Sequence, residues 1–208
     1  RDYKPTGRND FIDLILNLKQ YKSITCDRIS NMKTGKNEKV EVPVTDDFLV
    51  AQCILFFAAG FETSATTLTH TLYELAKNIE AQQKVLDEVD TYLRKYDNKL
   101  VYECVTEVPY LEACIDETLR LYPVLAVLTR DVMEDYTLPT GVQLEKGMRI
   151  HLPLYYLHRN PEFFRDPEEY RPERFLPENK SEIIPHTYIP FGDGPRICIG
   201  LRFAKMQM

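Results

Sequence analysis

The chain has 208 residues, enough for one good-sized domain or a piece of a larger one. A hydrophobic fraction of 44% and a charged fraction of 28% are ordinary globular values, and they exclude disordered, collagen-like and disulfide-dense classes. With 26 basic against 32 acidic residues the net charge is −6, so no global electrostatic pull on nucleic acid is expected beyond what a local basic face could supply.

Phe11, Leu14, Ile15 and Leu18 recur at helical spacing and predict an amphipathic helix over residues 9–21. Residues 26–44 are polar and mixed in charge and predict a surface loop. Thr45 is a good N-cap, and Asp46 and Asp47 suit the positive end of a helix running to about Lys77. The middle of that helix, Phe48 to Phe61, is nearly all apolar. At 14 residues with Gln52 inside it falls short of the roughly 20 a membrane span needs, so it predicts a buried core helix. Val85, Leu86, Val89, Tyr92 and Leu93 mark a helix over about 80–96. Leu111, Cys114, Ile115, Thr118, Leu119 and Tyr122 mark another, from near Pro109 until Pro123 stops it.

The texture changes after Pro123. Tyr136 to Leu138, Val142 to Leu144 and Met148 to Leu152 predict short strands, with turns at Pro139-Thr140-Gly141 and Lys146-Gly147. Residues 159–196, rich in proline, aromatics and charge, predict a meander packed by its own side chains. The expected fold class is mainly α with a small β region. Arg1 at one end and a helical run stopping at Met208 at the other predict a fragment cut at both ends. Five cysteines (Cys26, Cys53, Cys104, Cys114, Cys198) without a CxxC pair predict neither a disulfide framework nor a zinc ribbon. His70, His151, His158 and His186 lack metal-ligand spacing.

Three segments carry chemistry. In Phe191-Gly192-Asp193-Gly194-Pro195-Arg196-Ile197-Cys198-Ile199-Gly200, Gly192 and Gly194 permit unusual dihedrals and Pro195 stiffens the turn. Cys198 then sits where the loop becomes a helix, a place that favours a thiolate. The plain alternative is a buried, inert cysteine. In Glu117-Thr118-Leu119-Arg120 the acid and base lie three apart on one helix face and can pair. Such a pair is either a solvated surface contact or, among Leu119, Leu121 and Tyr122, something buried. In Ala59-Gly60-Phe61-Glu62-Thr63-Ser64 an acid and a hydroxyl interrupt an apolar helix, which is costly unless they are used or paired. The plain reading there is a threonine bonded back to its own helix and a glutamate in a buried ion pair.

The first motif resembles the haem-binding loop of cytochrome P-450, and the order of all the motifs, including Pro172-Glu173-Arg174-Phe175, is that of the family. The likeness spans the chain. His158-Arg159-Asn160-Pro161 and the meander look closest to insect microsomal members that handle xenobiotics. The resemblance implies that residues 1–208 are a partial cytochrome P-450 domain, its C-terminal half, truncated at both ends. It implies haem b (iron protoporphyrin IX) as cofactor. Cys198 is then the axial ligand of the haem iron, Arg196 and Arg130 are propionate partners, and Phe191, Gly192, Gly194 and Gly200 shape the cofactor loop. Glu117, Arg120 and Arg174 are structural, locking the meander under the haem. Glu62 and Thr63 are catalytic: Thr63 holds a water and the bound oxygen, and Glu62 helps relay protons, which is general acid work. Ala59 and Gly60 are small to leave room for dioxygen, and Phe57 and Ala58 border the substrate.

The implied activity is that of a monooxygenase, inserting one oxygen atom of O₂ into a small apolar substrate. The implied partners are NADPH-cytochrome P-450 reductase, with cytochrome b5 as an optional second donor. The implied location is the cytosolic face of the endoplasmic reticulum membrane, through an N-terminal anchor outside this chain. Two rivals stand beside it: a haem-thiolate isomerase or dehydratase, against which the intact Glu62-Thr63 pair argues, and a catalytically inert truncated product.

Overall fold

The computed structural model describes residues 10–28, 37–102 and 104–208. Its contacts divide the chain into two units, one up to Phe61 and one from Glu62 onward.

In the first unit, helix α1 (Phe11–Leu18) starts where the Asp10 carboxylate accepts the amide of Asp13 at 2.8 Å. It is shorter than the expected span, whose first residue lies outside the described residues. Strands β1 (Ser23–Asp27) and β2 (Lys39–Pro43) then pair antiparallel, Ser23 facing Pro43 and Asp27 facing Lys39. This corrects the expected loop over 26–44. The period-two alternation of Val40 and Val42 with charged neighbours is strand-like, and the Lys39–Asp27 ion pair spans the ladder. Residues 29–36 of the expected loop lie outside the described residues.

Helix α2 (Asp46–Lys77) has the predicted bounds. Thr45 caps it, its Oγ1 accepting the Phe48 amide at 3.1 Å. The expectation that its apolar stretch is buried is overturned. From Phe48 to Phe61 only Leu49 is buried, and Phe57 is 73% exposed. Apolar periodicity reports that a face seeks cover, and among the described residues little covers this one.

The second unit is built around α5 (Pro109–Leu121), buried at Tyr110 and all along from Ala113. Pro109 occupies its first turn, where a missing N–H costs nothing. The next two amides, of Tyr110 and Leu111, donate at 2.9 Å to the two carboxylate oxygens of Glu88 on α3 (Ile79–Lys95). That one carboxylate docks the two helices end to side. Leu75, from the C-terminal half of α2, packs with Ala81, Val85, Tyr110 and Cys114 in the core. A short helix, α4 (Cys104–Glu107), precedes α5 and was not anticipated.

After α5 come two small antiparallel ladders. Strand β3 (Leu128–Asp131), also unanticipated, pairs with β6 (Arg149–Leu152), and β4 (Tyr136–Thr137) pairs with β5 (Gln143–Leu144). Gly141 and Gly147 make the expected turns at φ +89° and +90°. Helix α6 (Leu154–Leu157) leads into the meander, whose 3-10 turn Pro172–Phe175 packs against α5, the Tyr110 hydroxyl donating to the Glu173 carboxylate at 2.9 Å and Arg174 facing Glu117. The chain ends in α7 (Leu201–Gln207). The whole is mainly helical with a small β region, as expected.

Candidate functional site

The Cys198 loop is set by two glycines. Gly192 and Gly194 have φ of +75° and +68°, a region costly for any other residue type. Between them the Asp193 carboxylate accepts the Gly194 amide at 2.6 Å and pairs with the His186 ring. That hydrogen bond from His186 holds the Asp193 carboxyl below its usual range. The Cys198 amide donates to the Phe191 carbonyl at 2.8 Å, which closes the loop into a hook. Gly200 follows as the N-cap of α7, and a β-carbon there would touch the Cys198 sulfur at 3.9 Å. The thiol is exposed and unbridged. It contrasts with Cys114, whose thiol is pushed up to about 12 by burial and is inert.

A β-carbon on Gly192 would come within 4.0 Å of Leu128, so the loop lies against strand β3. That strand carries Arg130, half-buried, whose Nη1 donates to the Thr129 carbonyl at 3.0 Å. Arg196 is exposed on the loop itself. Among the described residues neither arginine has a carboxylate partner.

Beneath the loop, Glu117 and Arg120 form a fully buried pair, both side chains 0% exposed. Arg120 donates through Nε and Nη2 to the two Glu117 oxygens at 2.7 and 2.8 Å, a fork-on-fork geometry. Its remaining donors reach the carbonyls of His158 (2.9 Å), Pro167 (2.7 Å) and Glu169 (3.1 Å). Glu117 Oε1 also accepts the Arg171 amide at 2.9 Å and lies 3.4 Å from Arg174 Nε. Arg174 in turn donates to the Asp166 carbonyl at 2.7 Å, and burial lowers its affinity for a proton. Glu117, Arg120 and Arg174 are thus one cluster, and it is the cluster that folds the meander onto α5.

The third set lies on α2. Ala59, Glu62 and Thr63 are exposed and Gly60 is half-buried, so the expected cost of a buried acid does not arise here. A β-carbon on Gly60 would meet nothing within 4 Å. The Thr63 carbonyl accepts the Thr67 hydroxyl at 2.9 Å, and Thr71 bonds back to Thr67 in the same way, which gives this part of the helix a hydroxyl stripe. Among the described residues Glu62 makes no contact with the Cys198 loop.

Three residues close to the loop were missed as site residues from sequence. Lys205, on α7, bonds to the Glu112 carboxylate and lies 3.4 Å from that of Asp116, tying the helix after Cys198 to α5. Tyr188 donates its hydroxyl to the Asp116 carbonyl at 2.9 Å, and burial raises its pKa well above the usual value. His158 is fully buried beside it, their ring centres 5.4 Å apart. A lone lysine, tyrosine or histidine carries no periodic signal by which a sequence could single it out.

A family model described as cytochrome P-450 matches residues 1–208. The chain belongs to the cytochrome P-450 family. Curated insect relatives agree. Cytochrome P-450 6B1 of Papilio polyxenes is 41% identical over 205 residues, covering 98% of this chain and 40% of the relative. Cytochrome P-450 6k1 of Blattella germanica is 41% identical over 214 residues, covering 100% and 40%. Cytochrome P-450 6a8 of Drosophila melanogaster is 39% identical over 209 residues, covering 100% and 40%. This cytochrome P-450 chain therefore spans about two-fifths of the length of the curated relatives it matches.

Membership implies a haem cofactor. The donor set of this chain fits one: an exposed, unbridged thiol with Arg196 on the same loop and Arg130 on the strand it lies against, neither arginine having a carboxylate partner among the described residues. Exposed Ile197, Ile199 and Phe203 supply apolar surface on either side of the thiol, with Ile199 at 88% exposure.

Proposed function

We propose that the protein is a haem-thiolate monooxygenase of haem b, inserting one atom of O₂ into a small apolar substrate with electrons passed from NADPH by a flavoprotein reductase. The observation that carries the reading is the Cys198 loop: an open thiol on a loop set by two left-handed glycines, with Arg196 on the loop and Arg130 on the strand it lies against, neither having a carboxylate partner among the described residues. Cys198 Sγ is the group that would ligate the iron, as an electron-rich thiolate donor to the haem when it is bound. When bound, the haem supplies dioxygen activation and oxygen insertion.

The chain's own residues do the rest. The guanidinium groups of Arg196 and Arg130 would hold the haem propionates by charge-assisted hydrogen bonds. The loop orients the sulfur through the Cys198 amide and the Phe191 carbonyl. Glu117, Arg120 and Arg174 keep the meander in place behind the loop. On α2, Thr63 Oγ1 holds a water near the reacting oxygen, and the Glu62 carboxylate passes it protons. Ala59 and Gly60, small on this helix, would leave room for dioxygen. The C-terminal half of α2 is docked into the globular core through Leu75. By length and mean hydropathy of 1.6 alone this helix would allow a membrane crossing. Similarity to the insect relatives supports the cytosolic face of the endoplasmic reticulum membrane as the location.

The test uses full-length protein with purified reductase, NADPH and ¹⁸O₂, and a fluorogenic alkoxycoumarin as apolar probe. Dealkylation that needs all three, with one labelled oxygen entering the products, supports the reading. Turnover of an organic peroxide that needs neither reductase nor dioxygen would instead mean a haem-thiolate isomerase or dehydratase.

A further inference from the structure

Among the described residues the Glu117–Arg120 pair makes no hydrogen bond to the Cys198 loop, and His158 lies between them. Arg120 Nη1 donates to the His158 carbonyl at 2.9 Å. On the other side of the same residue, the His158 ring nitrogen Nε2 accepts the Ile189 amide at 3.2 Å. The Ile189 carbonyl accepts the Gly192 amide at 3.0 Å, which makes the turn into the loop. One residue earlier, the Phe191 carbonyl accepts the Cys198 amide at 2.8 Å. The path from the buried ion pair to the sulfur-bearing residue is therefore hydrogen-bonded or covalent at each step, and the His158 imidazole is the side chain that carries it from Arg120 to the Ile189 backbone.

We propose that His158 is a positioning residue for Cys198, its neutral imidazole fixing the Ile189–Phe191 backbone from which the loop is hung. The inference rests on the reading of Cys198 as the iron ligand.

Several features suit the ring to this task. His158 is 0% exposed, so no water can replace it as acceptor. Among the described residues the Ile189 amide has no other acceptor, and an unsatisfied buried donor is costly. Because an amide can only donate, Nε2 must be bare and the proton must sit on Nδ1. Burial first, and then the Arg120 guanidinium, lower the ring to about 4, so the bare tautomer persists at neutral pH. The neighbours hold the ring's place. The Tyr188 ring packs against it, and the Tyr188 hydroxyl is anchored on the Asp116 carbonyl of α5. Ile189 is thus fixed on one side by the preceding residue and on the other by His158 itself. A lysine or arginine at position 158 could not serve, having no acceptor.

The experiment is a comparison of reduced, carbon monoxide-bound spectra in full-length holoprotein. His158→Gln keeps an acceptor near the Nε2 position. His158→Asn keeps an amide of similar polarity but brings its acceptor only to the Nδ1 position, and His158→Leu keeps none. Tyr170→Phe, which removes a different buried hydrogen bond, to the Cys114 carbonyl at 3.0 Å, controls for lost stability. His158→Leu and His158→Asn are expected to raise the ratio of complex lacking a thiolate-type Soret band to complex having one by about fivefold, the worth of one hydrogen bond. His158→Gln and Tyr170→Phe are expected to stay near wild type in that ratio, whatever their melting temperatures. The proposal is overturned if the Asn variant keeps the wild-type ratio, or if Gln and Asn change it equally. Should the Leu variant fail to fold, the Gln–Asn pair still decides. Wild-type protein without a thiolate-type band would overturn the ligand assignment itself, and so separates the two failures.

Discussion

Replacing Glu117 by alanine removes one side chain that serves four groups at once. Its carboxylate takes Arg120 Nε at 2.7 Å, Arg120 Nη2 at 2.8 Å and the Arg171 amide at 2.9 Å, and it faces Arg174 Nε at 3.4 Å. Water cannot substitute, because Arg120 is 0% exposed and Arg174 only 10%. Stranding a buried cation costs about 3–5 kcal/mol. Losing the acceptor of a buried amide costs about 1–3 kcal/mol more, although the two losses share one site and do not simply add. Arg120 keeps its three carbonyl acceptors, which holds the total to about 4 kcal/mol. A domain is stable by only about 5–15 kcal/mol. Glu117→Ala in full-length protein should therefore express with little bound haem and unfold at much lower guanidinium chloride. Glu117→Gln, which retains one acceptor oxygen, should lose roughly half as much. The assay is haem content per polypeptide together with the denaturation midpoint. An alanine variant with full haem content and an unchanged midpoint would refute the reasoning.

Thr63→Ala should bind haem normally but divert NADPH into hydrogen peroxide, cutting product per NADPH by up to about 100-fold, the scale of a lost general-acid step; an unchanged peroxide ratio would make Thr63 an ordinary helix residue. The folded-state pKa of His158 is lowered to about 4 from 6.5, so between those values the unfolded chain binds a proton that the folded one does not. Its contribution is present above pH 6.5 and is lost as pH falls toward 4, by up to about 3 kcal/mol, and His158→Gln should flatten that part of the pH–stability curve. An identical slope in the variant would contradict this. The 208-residue chain expressed alone exposes Ile54, Leu55, Phe57 and Phe61 along α2 and should aggregate without NADPH-dependent turnover. A soluble monomer with a thiolate-type carbon monoxide spectrum would refute that.

What could be read ahead of the structure was what repeats or what is rare. The long helix from Asp46 to Lys77 and the one from Pro109 announce themselves by period and by their capping residues. The glycine spacing around Cys198 marks the loop because few sequences need two left-handed residues so close together. The hairpin of Ser23–Asp27 with Lys39–Pro43 was hidden because the exposed Lys39 and Glu41 of β2 are charged, so that its alternation with Val40 and Val42 looks like a loop, and β1 has no alternation at all. Strand β3 was hidden for a different reason. Leu128–Asp131 is four residues long, too short for a period, and becomes a strand only by pairing with Arg149–Leu152. The exposure of α2 could not be read at all, since periodicity shows which face seeks cover and not whether these residues provide it. In the site, the Glu117–Arg120 spacing was legible, but its reach to the His158, Pro167 and Glu169 carbonyls was not, because those partners are 38 or more residues away.

The central claim, that Cys198 Sγ is the ligand of a haem iron, is tested most directly by the absorption spectrum of the reduced, carbon monoxide-bound full-length protein, beside its Cys198→Ser variant. The account predicts a thiolate-type Soret band in the wild type, its loss in Cys198→Ser, and its persistence when Cys26, Cys53, Cys104 or Cys114 is replaced instead. A Cys198→Ser protein that keeps the thiolate-type band would contradict it.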